Sequence, residues 1–141
     1  MTLAREVLNR SRRVLVAGAS PDPARYGHEV LEAFHGAGFD AAAVNPKYEA
    51  IAGRPCYPSL AAVPGGADLA VLVVSPVNAQ RLLPDVRAAG IGTVWLPPGT
   101  ADEATVEAAR ALGLIVVDDV CPVATLLQVG RGPAGGRSSS E

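Results

Sequence analysis

The sequence is poor in the features that bind nucleic acid, cross membranes or staple small folds. Twelve Lys and Arg against fourteen Asp and Glu leave a net charge of −2. There is no basic excess to neutralise a phosphate backbone, which excludes nucleic acid as an expected partner. Aromatics are 4% of the residues, too few to build stacking platforms for single-stranded bases. Two cysteines, Cys56 and Cys121, cannot make a disulfide framework and suit a reducing compartment. No apolar run reaches the ~18 residues of a membrane span, and no signal-peptide core precedes Arg12 and Arg13. The expectation is a cytoplasmic protein with no membrane partner. Charge is sparse at 18%, whereas 49% of the residues are hydrophobic, so most of the chain has enough apolar surface to fold. From Gly130 onward the chain is Gly, Ser, Pro and Arg with almost nothing to bury. The expected organisation is one domain over residues 1–129 and a disordered Gly/Ser-rich tail over 130–141.

What is present is a series of short apolar runs: Val14–Ala17, Ala41–Val44, Leu69–Val74, Thr93–Leu96 and Leu114–Val117. Each is apolar on both faces, the pattern of parallel strands covered by helices on either side. A sixth, weaker strand is expected at Arg54–Tyr57, where Pro55 would confine it to a sheet edge. Helical spacing fills the gaps. Leu3, Val7 and Leu8 suggest a first helix. Val30, Leu31 and Phe34 form an apolar stripe that Gly36 or Gly38 would end. Ala79, Leu82, Leu83 and Val86 mark another helix, with Pro84 expected near its first position. Thr100-Ala101-Asp102-Glu103 reads as a capping box that Gly113 closes. The predicted class is α/β, a Rossmann-like open, mostly parallel sheet of five or six strands with helices on both faces. In the strand order 3-2-1-4-5-6, ligands bind between the carboxyl ends of the first and fourth strands.

Three loops meet at that place. The first is Gly18-Ala19-Ser20, running toward a helix near Gly27, where small residues let a backbone approach a phosphate and a helix N-terminus favours anions. Ser20 adds a hydroxyl donor and Arg25 a cation. The G-x-G-x-x-G fingerprint is not met, because Ser20 and Pro23 stand at its second and third glycines. The second loop is Asn45-Pro46-Lys47. NAD-binding domains place an acid there for the ribose hydroxyls. Lys47 cannot accept from a hydroxyl but can bind a phosphate, so the expected ligand carries a phosphate on its adenosine ribose, as coenzyme A and NADP do. The third loop is Ser75–Asn78, with Pro97-Pro98-Gly99 close by.

Four segments carry a family resemblance: Val16–Ser20, Val44–Tyr48, Gly53–Leu60 and Trp95–Gly99. In this order they resemble the stand-alone CoA-binding proteins, which are similar to the N-terminal CoA-binding domain of the succinyl-CoA synthetase alpha subunit. The likeness covers about residues 3 to 125. It implies that the turn at Gly18, Ala19 and Ser20 cradles the phosphates of coenzyme A. It further implies that Lys47 lies near the phosphorylated ribose, and that Ser75, Pro76 and Leu96 line the rest of the cleft. Where many relatives have a Phe-Arg segment, this chain has Val74-Ser75-Pro76.

Catalytic chemistry is not expected. His28 is either a pyrophosphate donor or a solvated helix residue, and His35 reads as a partner for its helix C-terminus. Cys121 follows Asp118-Asp119, two acids that disfavour a thiolate. No further His or carboxylate motif converges on those aspartates, so neither a catalytic nor a metal site is predicted. The alpha-subunit chemistry depends on a second domain, for which this sequence leaves no room. The resulting expectation is non-catalytic binding of coenzyme A or an acyl-CoA, with any protein partner unidentified. Two alternatives remain: an NADP-binding oxidoreductase-like or redox-sensing domain, and an interaction module that has lost its ligand.

Overall fold

A computed structural model describes residues 2–130, so the expectation for the tail beyond Gly130 lies outside the described residues. The elements are α1 (Leu3–Arg10), β1 (Arg13–Ala17), α2 (Tyr26–Gly36), β2 (Asp40–Val44), β3 (Ala50–Ile51), β4 (Arg54–Tyr57), a 3-10 turn (Leu60–Ala62), β5 (Leu69–Leu72), α3 (Pro76–Ala88), β6 (Thr93–Leu96), α4 (Glu103–Ala111), β7 (Ile115–Asp118) and α5 (Pro122–Gln128). The fold is α/β, a Rossmann-like, mostly parallel sheet in the order β3-β4-β2-β1-β5-β6-β7. Omitting β3, this is the expected order, and β1 is central between β2 and β5.

Alternation along each strand sorts the core into two layers. Val14, Val16, Leu69, Val71 and Trp95 pack against Leu8 of α1, Val30 and Phe34 of α2 and Leu126 of α5. Leu15, Ala17, Ala70, Leu72 and Leu96 pack against Ala79, Leu83 and Val86 of α3 and Val106 and Ala109 of α4. Because α2 and α3 lie on opposite faces, the chain diverges at the carboxyl ends of β1 and β5. That divergence opens the crevice where ligands bind in such sheets.

Four local expectations are corrected. The sheet has seven strands, because Ala50–Ile51 folds back antiparallel on Arg54–Tyr57. The hairpin turns at Ala52 and Gly53, both at positive φ (53° and 79°), as a two-residue primed turn requires. Pro55 therefore sits one strand in from the edge, and β4 bonds to β2 beyond it, at Cys56 and Tyr57. Pro84 lies inside α3 and not at its start; Pro76 takes the first position, and the Ser75 side chain accepts from the Asn78 amide. Thr100 does not cap α4. Asp102 does, accepting from the Thr105 amide at 2.8 Å; the Thr105 side chain and then this amide hold its carboxyl below the usual range. Thr100 instead donates its hydroxyl to the Val74 carbonyl at 2.5 Å, tying the loop after β6 to the loop after β5.

Candidate functional site

A cleft of about 460 Å³ opens at the carboxyl ends of β1 and β2, within the range of small-molecule sites. Its floor is Ala17, Gly18 and Val44. One wall is Asn45, Pro46 and Lys47 with Pro58, Ser59 and Leu60, and the other is Val74 with Asn78, Arg81, Leu82 and Asp85 of α3. A hollow of about 550 Å³ lies elsewhere, between α2 and α5, lined by Glu32, His35, Arg54 and Leu127. It is away from the crevice between β1 and β5, so topology favours the smaller cleft.

Gly18 ends β1 with φ at +85°, and its amide donates to the Val44 carbonyl at 3.0 Å. A Cβ built there would stand 2.0 Å from the Val73 carbonyl oxygen. The glycine is thus required by the approach of β1 to the chain leaving β5, and close phosphate approach is not its only reason. Gly27 has the same role one turn later, where a Cβ would meet the Gly18 oxygen at 2.0 Å. The two glycines seat α2 directly on the turn.

Side chains then fix the turn. Asn45 Nδ2 donates to the Ala19 carbonyl at 2.9 Å, while its Oδ1 accepts from the Lys47 amide at 2.9 Å. Its backbone carbonyl receives the Cys56 thiol at 3.6 Å. Burial pushes that thiol up, and the bond to Asn45 offsets the rise in part. His28 Nδ1 donates to the Ser20 carbonyl at 3.0 Å, so this histidine braces the turn from α2. Ser20 is buried, and its Oγ accepts from the Asp22 amide at 3.1 Å, leaving the hydroxyl proton free to donate. Arg25 precedes α2, exposed, with Nε 3.9 Å from Asp22. At the start of α2, the Tyr26 hydroxyl donates to Cys121 Sγ at 3.0 Å; burial and then this contact push the phenol up.

Of the ten residues singled out from sequence, Gly18, Asn45 and Lys47 line the cleft together. Ala19, Ser20 and Gly27 form the turn and its seat behind them. Arg25 lies beyond the turn at the start of α2, and Ser75 and Pro76 begin α3. Leu96 is 0% exposed and packs in the core between sheet, α3 and α4, so its side chain does not face the cleft. Sequence reading missed the face of α3. Asn78 belongs to the third loop already singled out, and Leu82, expected in the apolar stripe, lines the cleft instead; Arg81 and Asp85 join them at i+3 and i+7, while Ala79, Leu83 and Val86 are buried.

Residues 12–126 match the family of the CoA binding domain. The chain belongs to this family. It is 43% identical over 61 residues to acetate-CoA ligase (ADP-forming) I of Archaeoglobus fulgidus, a stretch that is 43% of this chain and 9% of the ligase. This CoA-binding domain therefore spans about a tenth of that curated relative. The uncharacterized protein YneT of Bacillus subtilis is 29% identical over 121 residues, covering 83% of this chain and 87% of YneT. A hypothetical protein from Pyrococcus horikoshii OT3 has a similar structure, with a TM-score of 0.84 and 31% identity over 89% of this chain and 88% of that one. The dinucleotide forming acetyl-coenzyme A synthetase 1 of Ca. Korarchaeum cryptofilum matches with a TM-score of 0.67 and 26% identity, over 76% of this chain and 26% of the synthetase. The similarity thus extends both to relatives of the same length and to one region of much longer CoA ligases. Among the described residues, no helix is long and apolar enough to cross a membrane.

Proposed function

We propose that this CoA-binding domain holds coenzyme A or an acyl-CoA without transforming it, with the nucleotide end of the ligand in the cleft between β2 and α3. The observation that carries the reading is the pairing of a braced glycine turn with Lys47 across one hollow in a member of this family. The residues fit the ligand. Pro46, Pro58, Leu60 and Leu82 offer apolar surface for a purine, and the cleft carries cations for phosphate. Gly18, Ala19 and Ser20, with Gly27 behind them and Arg25 beyond, would hold the pyrophosphate through backbone amides, a hydroxyl and a guanidinium. Asn45 would keep that turn in register, and Lys47 would take the ribose 3′-phosphate. Ser75, Pro76 and the backbone beside Leu96 would guide the pantetheine. The thiol of bound coenzyme A is what an acyl group attaches to; this chain's part is to bind and orient it.

A binding role also agrees with the state of the candidate reactive groups. The Cys56 thiol is pushed up by burial and so stays protonated near neutrality. Asp118 pairs with Arg110 at 4.0 Å. The test is calorimetry with coenzyme A and dephospho-CoA, which differ only in the 3′-phosphate. Lys47→Ala is expected to weaken coenzyme A about 10-fold, the lower end for a charged hydrogen bond because Lys47 is exposed and screened by salt. Dephospho-CoA should bind weakly to the parent and barely respond to the change. Equal losses for both ligands refute the role of Lys47, and tighter binding of NADP than of coenzyme A overturns the reading in favour of the oxidoreductase-like alternative.

A further inference from the structure

Arg81 stands on the wall of the cleft opposite Lys47, and the packing of α3 keeps it there. Ala79, Leu83 and Val86 are buried against the sheet, and Gln80 Nε2 donates to Thr105 Oγ1 at 3.1 Å toward α4. Those contacts fix the rotation of the helix, so Arg81 and Leu82 face the cleft. Arg81 is exposed and forms no ion pair with another described residue, although Asp85 lies one turn further on the same face. Lys47 is likewise unpaired among the described residues. Two cations on facing walls against one carboxylate leave the hollow positive. A phosphate monoester carries close to two negative charges near neutrality, more than one ammonium neutralises. A guanidinium supplies a planar fork of donors that suits two phosphate oxygens at once.

We propose that Arg81 closes on the ribose phosphate from α3 while Lys47 holds it from the loop after β2, making the pair the specificity determinant for ligands phosphorylated on the adenosine ribose. The assignment rests on the CoA-binding reading for the identity of the nucleotide. On that reading the turn at Gly18–Ser20 and Arg25 would serve the pyrophosphate, which leaves Arg81 for the ribose end.

The experiment titrates the parent, Arg81→Gln and Arg81→Lys with coenzyme A and dephospho-CoA, and in parallel with NADP and NAD, after thermal unfolding has shown the same transition for all three proteins. Arg81→Gln should weaken coenzyme A about 10-fold and leave dephospho-CoA unchanged, with Arg81→Lys recovering part of the loss. Combined with Lys47→Ala, the two losses should fall short of additive, because both side chains meet one phosphate. Equal weakening of coenzyme A and dephospho-CoA would place Arg81 on the pyrophosphate and overturn the proposal, as would no effect on either. Should the parent prefer NADP to coenzyme A, the CoA reading fails. The Arg81 assignment then stands or falls on whether NADP is weakened while NAD is not. A parent that binds none of the four ligands overturns both.

Discussion

Replacing Gly27 by alanine tests the seat of α2 on the turn more directly than any ligand-facing change. Gly27 is the second residue of α2 and is buried. Its Cβ would lie 2.0 Å from the Gly18 oxygen and 3.2 Å from Ala19 Cα, and both obstacles are backbone. Cβ atoms essentially never come nearer than 3.0 Å, so helix and turn must separate by about 1 Å. Three bonds resist that separation: Gly18 N to Val44 O, Asn45 Nδ2 to Ala19 O, and His28 Nδ1 to Ser20 O. Alanine gains up to about 1 kcal/mol over glycine within a helix. Overpacking costs about 1–3 kcal/mol, and a stretched or lost hydrogen bond about 1 more. The steric side wins by about 1–3 kcal/mol. For a domain of this size that corresponds to a fall in Tm of roughly 4–11 °C, read by circular dichroism. If the turn holds the pyrophosphate as proposed, calorimetry should also show the CoA affinity falling by more than ~10-fold. Gly92→Ala is the matched control: nothing lies within 4 Å of its Cβ position, and its φ is not in the left-handed range. Should Gly27→Ala melt with Gly92→Ala and bind normally, helix and turn do not pack as described.

Two further outcomes concern stability. Asp68 Oδ2 accepts from the Arg12 and Arg13 amides at 2.9 and 3.0 Å, which holds its carboxyl below the usual range. A lowered folded pKa contributes stability above the unfolded value near 3.9, and that contribution disappears as pH falls through the folded value. Asp68→Asn should therefore lower the urea midpoint slightly at neutral pH and flatten its decline below about pH 4, a small effect because Asp68 is exposed; identical acid limbs for both proteins would refute it. Pro84 cannot bond to the Gln80 carbonyl from inside α3, a cost of up to ~3 kcal/mol relative to alanine, against about 0.4–1 kcal/mol of chain entropy that proline removes from the unfolded state. Pro84→Ala should raise stability by about 1–2 kcal/mol in urea titrations, and a loss of stability would show that proline is required there by the packing of α3.

The sheet was legible because parallel strands buried on both faces leave continuous apolar runs, and right-handed crossovers leave few ways to order them. Short-range punctuation was harder to read. A hairpin with alanine at positive φ has no sequence signature, so Ala50–Ile51 passed for loop. Pro84 suggests a helix start because proline favours that position, yet Ser75-Pro76 supplies a better cap and first residue eight positions earlier. Likewise Thr100 and Asp102 both suit an N-cap, and the Val74 carbonyl decided between them by taking the threonine hydroxyl. At the candidate site, the turn and Lys47 followed from strand ends alone. Arg81 did not, because a polar stripe on a helix reads as a solvated face, and nothing in the spacing says that it lines a cleft.

That difference bears on which residues argue for a ligand. Gly18 and Gly27 look like a phosphate loop in sequence, but each stands where backbone would strike a Cβ at 2.0 Å with no ligand involved. A fold that had lost its ligand would still need both. Asn45 and His28 are equally bound to the turn and would be kept for its shape. Lys47 and Arg81 differ, since neither forms an ion pair with a described residue. Both line one cleft, Lys47 from the loop after β2 and Arg81 from α3. On the proposed reading, their unneutralised charge is what would separate a binding cleft from an empty crevice. It is therefore the cations, more than the glycines, on which the proposed function stands.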